Sequence, residues 1–556
     1  MRRAMHKPLL ALAMALIASE ASADTWIRNI NGIEVGADGK LQHFSGLLIG
    51  DDGRVKRLSL EPLSMRIAGT DAVGVIDGHG QTLLPGLIDA HGHVTGLGFG
   101  ALQLDLVGTI SLEDMKQRLH AYAAAHPEAR WIVGRGWNQE LWPVKNFPTA
   151  ADLDAVVGDR PVVLERVDGH AIVANSAAMK AAGVTAATTA PPGGRIENGL
   201  FVDNATDLVG KAVPPATPAE LDQALAKAQD ILLSYGVTGV GSMSTTLGDW
   251  EAMRRAGEAG RLQVRLMVYA DELKLLGQVP KPTPWLYGDR LRMVGIKFYA
   301  DGALGSRGAW LKQPYADKPE TRGLQFHSDA ELSSLAETAA SHGFQIATHA
   351  IGDAANAQVI STYERLSKTY GSKRRWRIEH LQVVDPVDIP RLAPAGIIAS
   401  MQPTHQTSDR LMAEKRLGPN RLAGAYAWQT VLKSGAKLAF GSDFPVESPN
   451  PFPGLSAGIS RQDVNGQPPG GWIPNERLSF EQALAAFTRG AAYAGFAEDR
   501  IGSLEPGKWA DFIIVDRDPT KVNPQELART EVLETWVAGK KVWARAPSAA
   551  RTERGK

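Results

Sequence analysis

Between residues 82 and 440 the chain alternates eight β-rich runs with amphipathic helical stretches, and nothing else in the sequence constrains the fold as strongly. The runs fall at 82–90, 236–243, 263–269, 293–300, 344–348, 376–381, 397–402 and 437–440. Strand–helix alternation calls for parallel βα units, because a parallel pair needs a crossover. Eight of them predict an α/β fold of the closed (β/α)8 TIM-barrel type, with reactive groups at the C-terminal ends of the strands. An open doubly wound sheet satisfies the same alternation.

The flanks read differently. Runs at 26–33, 44–49, 55–60 and 72–76, separated by turns such as Asp51-Asp52-Gly53, predict a small antiparallel sheet, and further runs at 511–516 and 532–537 resemble them. These pieces predict a composite β-sandwich domain built from both termini, over 24–83 and 501–545, around a barrel at 84–500. The stretch from about 100 to 215 is too long for a βα connection and carries its own strand signal at 161–167. It reads as an insertion after the first barrel strand that caps the active site. Residues 546–556 predict a disordered tail.

Arg2, Arg3 and Lys7 precede an apolar run at 9–18 and then Ala21-Ser22-Ala23, the pattern of a secretory signal peptide cleaved after Ala23. The run falls short of the roughly 20 apolar residues that span a bilayer. The expected product is a periplasmic or secreted protein with no membrane association after signal removal. Sixty basic residues balance sixty acidic ones, so there is no basic excess for nucleic acid or an anionic membrane, and the expected partner is a small-molecule substrate. The chain has no cysteine. Any metal must therefore be held by His, carboxylate or a modified side chain.

Candidate ligands stand at the ends of the predicted strands. His91 and His93 lie two apart, a spacing that points both side chains the same way on an extended chain. Lys297, His349, His380 and Asp443 close four later runs, and a barrel brings such positions to one point. Four imidazoles, a carboxylate and a lysine make chemical sense as a divalent-metal centre, with zinc the expected ion and one or two ions per chain. Such ions bring a water molecule's pKa near neutrality and polarise a carbonyl. Asp443 would ligate a metal and carry the catalytic proton from water to the leaving nitrogen. An ammonium beside two cations would be repelled, whereas a lysine carboxylated by carbon dioxide becomes an anionic bridge.

Six segments stand out: Pro85 through His93, Lys297 through Arg307, Thr348-His349-Ala350-Ile351-Gly352-Asp353, Arg377-Ile378-Glu379-His380, Gly441-Ser442-Asp443-Phe444-Pro445-Val446 and Gly502 through Asp511. By these marks the chain resembles the amidohydrolase superfamily, in particular the metal-dependent amidohydrolase family 3 that includes N-substituted formamide deformylases. The resemblance implies a metal-bearing barrel with a composite β domain, and hydrolysis of a non-peptide carbon–nitrogen bond of the N-acyl or N-formyl amine type. It also implies metal ligation by His91, His93, His349, His380, Asp443 and a carboxylated Lys297, and places His170 and Arg307 near the substrate. The chain departs from the family at Gly239 through Met243, where a His-Asp pair is common, and at Asp203, where glutamate is commoner. Specificity is therefore not carried over.

Other readings stay open on these residues. The same centre can hydrolyse cyclic amides or esters, and an exported binding protein can use the same scaffold without catalysis. Gly454-Leu455-Ser456-Ala457-Gly458 matches a serine-hydrolase pattern, but the proline-rich 449–453 before it does not suit the strand that motif requires.

Overall fold

The computed structural model describes residues 24–60 and 73–546, which leaves the predicted signal peptide and all but the first residue of the predicted tail outside it. Among the described residues, eight strands follow one another in a parallel sheet: β1 (Leu87–Gly92), β2 (Val237–Thr245), β3 (Arg265–Asp271), β4 (Leu291–Tyr299), β5 (Gln345–Ala350), β6 (Arg377–His380), β7 (Ile398–Met401) and β8 (Lys437–Phe440). Seven of the eight predicted runs each contribute one strand, with ends displaced by at most two residues. The ring is completed just beyond β8, where Asp443 N–H donates to His91 O (2.8 Å) and His93 N–H donates to Phe444 O (2.7 Å). Gly441 permits this approach, because a Cβ there would lie 2.6 Å from Asp89 Oδ1 and from His91 N. Ile88, Met267, Tyr269, Val294 and Ala347 fill the lower barrel interior, and amphipathic helices such as Pro218–Ser234 cover the outside.

The predicted first barrel strand, 82–90, is divided in two. Thr82–Pro85 pairs antiparallel with Phe512–Val515 in the terminal sheet, and the barrel begins only at Leu87. Gly86 makes the passage: its N–H donates to Asp511 O (2.9 Å), and a Cβ on it would meet Thr238 Oγ1 at 2.3 Å.

The two chain ends share one eight-stranded sheet, in which Lys540–Ala544, Val532–Val537 and Phe512–Val515 continue into Thr82–Pro85, Asp24–Val35, Leu41–Ile49 and Val55–Ser59. This sheet is mixed, where an antiparallel one was expected. A register shift between Arg28 and Gly32 breaks Asp24–Val35 into halves, and one edge then pairs in parallel with both Val73–Asp77 and Thr82–Pro85. All eight strands are joined in one hydrogen-bonded sheet.

Between β1 and β2 the chain builds a six-stranded sheet, from Leu104–Asp105 to Leu200–Asp203, with its own core around Met115, Leu119, Ile132, Trp137 and Leu164. No described helix is long and apolar enough to cross a membrane.

Barrel and terminal sheet are fastened by a buried ion pair. Arg265 of β3 donates to both carboxylate oxygens of Asp511, at 2.6 and 2.9 Å, and Asp511 also accepts from Ala538 N–H. Replacing Asp511 by alanine leaves the guanidinium buried without its partner. The expected loss is about 3 to 5 kcal/mol of stability, read from chemical denaturation. A loss below about 1 kcal/mol would show that water reaches Arg265.

Candidate metal centre

The C-terminal mouth of the barrel opens into a cavity of ≈ 780 Å³ whose lining includes His91, His93, Lys297, His349, His380 and Asp443. His91 is the fifth residue of β1 and His93 the residue before the helix Val94–Leu102. His349 and His380 stand at the ends of β5 and β6, Lys297 near the end of β4, and Asp443 three residues past β8. Their rings form a contiguous arc: His93 to His91 5.6 Å, His91 to His380 4.9 Å and His380 to His349 4.6 Å between centroids. His380 and Asp443 adopt left-handed backbone, with φ of 74° and 61°, a strained state that clusters at functional sites.

Hydrogen bonds beneath the arc set the tautomers. His91 Nδ1 lies 2.6 Å from Glu379 Oε2, and an ionised carboxylate only accepts, so Nδ1 carries the proton and Nε2 the lone pair. Glu379 is held in turn by Arg377, at 2.7 and 3.0 Å, inside the barrel. Burial alone would raise the Glu379 pKa, but Arg377 and His91 keep it below the usual carboxylate range. His380 Nδ1 lies 2.9 Å from Gln402 Oε1, which likewise turns its Nε2 lone pair to the cavity. Asp89 accepts from His91 N–H, Ser442 N–H and Ser442 Oγ–H, tying the first and last barrel strands together under the site.

The result is a set of acceptors facing acceptors. His91 Nε2 and His93 Nε2 lie 3.3 and 3.2 Å from Asp443 Oδ1. Among the described residues, His91 Nε2, His349 Nε2, His405 Nε2 and Asp443 Oδ1 are buried without a hydrogen-bond partner. Such an arrangement is costly unless a cation sits among the lone pairs. Two triads, His91 with His93 and Asp443, and His380 with His405 and Asp443, bring their ligand atoms within 4.8 Å of one another. Burial keeps His349 and His380 well below the usual imidazole pKa, in the neutral form that binds metal. The residues fit a divalent ion.

Lys297 has no hydrogen bond or ion pair among the described residues, and its Nζ sits 4.7 Å from the Tyr299 ring. Burial brings its pKa down to about 8. Asp301, four residues on, is occupied by the backbone N–H groups of Trp310, Ile351 and Gly352.

His170 reaches the cavity from the inserted sheet, with Nδ1 2.8 Å from Asp203 Oδ1. Burial lowers its pKa, but Asp203, Asp168 and Asp301 outweigh this and lift it to about 9. Arg307 differs from expectation. It is not among the residues lining the cavity, because its left-handed backbone (φ 63°) sends the guanidinium to Asp317 at 2.9 Å. Ser456 lies inside the helix Pro451–Ser460, where its hydroxyl donates to Pro524 O, so the serine-hydrolase pattern is a packing feature.

Glu379, Gln402 and His405 were not singled out from sequence. The signal for His405 was its place in Gln402-Pro403-Thr404-His405, directly after a predicted barrel strand.

Residues 74–543 match the model of the amidohydrolase family. The chain is 34% identical over 479 residues to YtcJ of Bacillus subtilis, covering 84% of this chain and 89% of that protein. It is 26% identical over 501 residues to N-substituted formamide deformylase of Arthrobacter pascens, covering 85% and 91%. Its fold superposes on the crystal structure of an uncharacterized metal-dependent hydrolase from Pyrococcus horikoshii OT3 with a TM-score of 0.74 at 28% identity, covering 90% and 99%.

Proposed function

The chain belongs to the amidohydrolase family, and from that membership we propose that it hydrolyses a non-peptide carbon–nitrogen bond, of the N-acyl or N-formyl amine type, in a small-molecule substrate. The observation that carries the reading is the group of buried, unpartnered acceptors on His91, His349 and Asp443 at the mouth of a barrel. His91, His93, His349, His380, Asp443 and Lys297 would hold one or two divalent ions, with zinc favoured by the imidazole-rich set. Bound there, such an ion supplies Lewis acidity toward a carbonyl and lowers the cost of generating a nucleophile near neutral pH.

The remaining chemistry belongs to side chains. Asp443 takes the proton of the attacking water and returns it to the leaving nitrogen. Glu379 and Gln402 fix the tautomers of His91 and His380. His170, held by Asp203 on the cap, donates a hydrogen bond toward the substrate side of the cavity. Lys297, with its pKa near 8, exposes enough neutral amine to add carbon dioxide, releasing one proton and leaving an anionic carbamate.

Metal analysis of the purified chain, followed by a screen of formamides, N-acyl amines, cyclic amides and esters with released amine as readout, tests the bond class. Ester cleavage without amide cleavage would overturn it. We propose export as well, on the charged start and apolar run that precede Ala21-Ser22-Ala23. Protein recovered from a periplasmic fraction should begin at Asp24, and an intact Met1 there would refute the cleavage.

A further inference from the structure

The helix Pro403–Leu417 lays His405, Ser408, Asp409 and Met412 along one wall of the cavity, the spacing that places side chains on a single helix face. Glu447, on the segment after β8, lines the same wall and accepts from Ser408 Oγ at 2.6 Å through Oε1. Asp409 accepts from Gln382 and Tyr426, at 3.0 and 2.9 Å, both through Oδ2. Among the described residues neither carboxylate has a Lys or Arg partner, and Asp409 Oδ1 and Glu447 Oε2 receive no hydrogen bond. His405, whose side chain is 10% exposed, faces the same space with Nε2 unpartnered. Burial raises the pKa of both carboxylates, a cost that a nearby cation would relieve.

The cavity's own guanidinium groups are spent elsewhere. Arg135 donates to Glu165, Pro445 O and Val167 O, and Arg166 to Gln139, Asp168 and Asn138. An anionic substrate group therefore meets no free arginine on this side, whereas a cation meets two carboxylates. Asp443 turns Oδ1 to His91 and His93 and Oδ2 toward His405, 3.8 Å away. The oxygen free to serve the leaving nitrogen thus faces the acidic wall.

We propose that Asp409 and Glu447, beside His405, form a subsite for an ammonium group on the amine portion of the substrate, so that the favoured N-acyl amines carry a second, cationic nitrogen. This rests on the hydrolase reading above, and its test separates the two. N-acetyl-1,4-diaminobutane, N-butylacetamide and N-acetyl-4-aminobutyrate share one amide and differ in charge. Their binding to full-length Asp443→Asn protein is measured by calorimetry, and their turnover by the parent enzyme.

The cationic compound should bind about tenfold more tightly than the neutral one, the order of one charge-assisted contact, and the anion more weakly than either. In Glu447→Gln or Asp409→Asn, built on the same background, the preference should vanish with metal content unchanged. Equal affinities, a preferred anion, or metal loss in both wall variants would overturn the subsite. Charge-ordered binding without turnover of any of the three would uphold the subsite and count against the hydrolase reading. Turnover of all three at equal efficiency would do the reverse.

Discussion

Replacing Asp443 by asparagine is expected to lower turnover by about 10²- to 10⁴-fold, the contribution of a positioned general acid–base group. The aspartate carboxylate is ionised at neutral pH. It is therefore a base at neutral pH, whereas an amide of the same shape keeps the Oδ1 acceptor and cannot take a proton. Circular dichroism and metal content should stay close to those of the parent while kcat falls. Turnover within tenfold of the parent would assign the proton to another group.

The second large effect belongs to Lys297. Alanine should remove both bound metal and activity, by more than about 100-fold, the upper end seen for groups one layer further from a metal. Because the side chain is buried and lacks a hydrogen bond or ion pair among the described residues, its deletion breaks no pair. Packing is controlled for by Lys297→Met, which keeps the volume and cannot be carboxylated. About two metals per chain are expected in the parent, together with an added mass of one carbon dioxide on Lys297 in gently handled protein. Small carboxylates should restore part of the activity of Lys297→Ala. If Lys297→Met binds as much metal as the parent and turns over normally, the carbamate assignment is wrong.

The convergence of the candidate ligands was legible because a barrel converts sequence order into position. A polar residue at the end of an apolar run, as at His349, His380 or Asp443, has one place to go. The partners beneath them were not legible. Glu379 meets His91 across the barrel, 288 positions away, and alternation along a strand gives no hint of which residue lies opposite. His405 stands three residues past the run 397–402, as Asp443 does past 437–440, but it is already inside the helix Pro403–Leu417. Arg307 pairs with Asp317 ten residues on, a contact that no end-of-strand pattern announces. The break in 82–90 depended on Thr238, with which nothing near Gly86 in sequence connects it.

The pairing of Leu84 with Ile513 sets an order of events in the ribosome's product. Strand Thr82–Pro85 emerges early, and its partner Phe512–Val515 emerges roughly 430 residues later, a wait of roughly 20 to 90 s at ordinary elongation rates. For that interval one flank of the early strand offers its amides and carbonyls to any passing chain. The enclosing sheet is therefore the last part to close, although half of it is made first. Chaperone dependence during synthesis should track the availability of residues 512–515, and a nascent chain stalled before them should remain soluble only while that flank is covered.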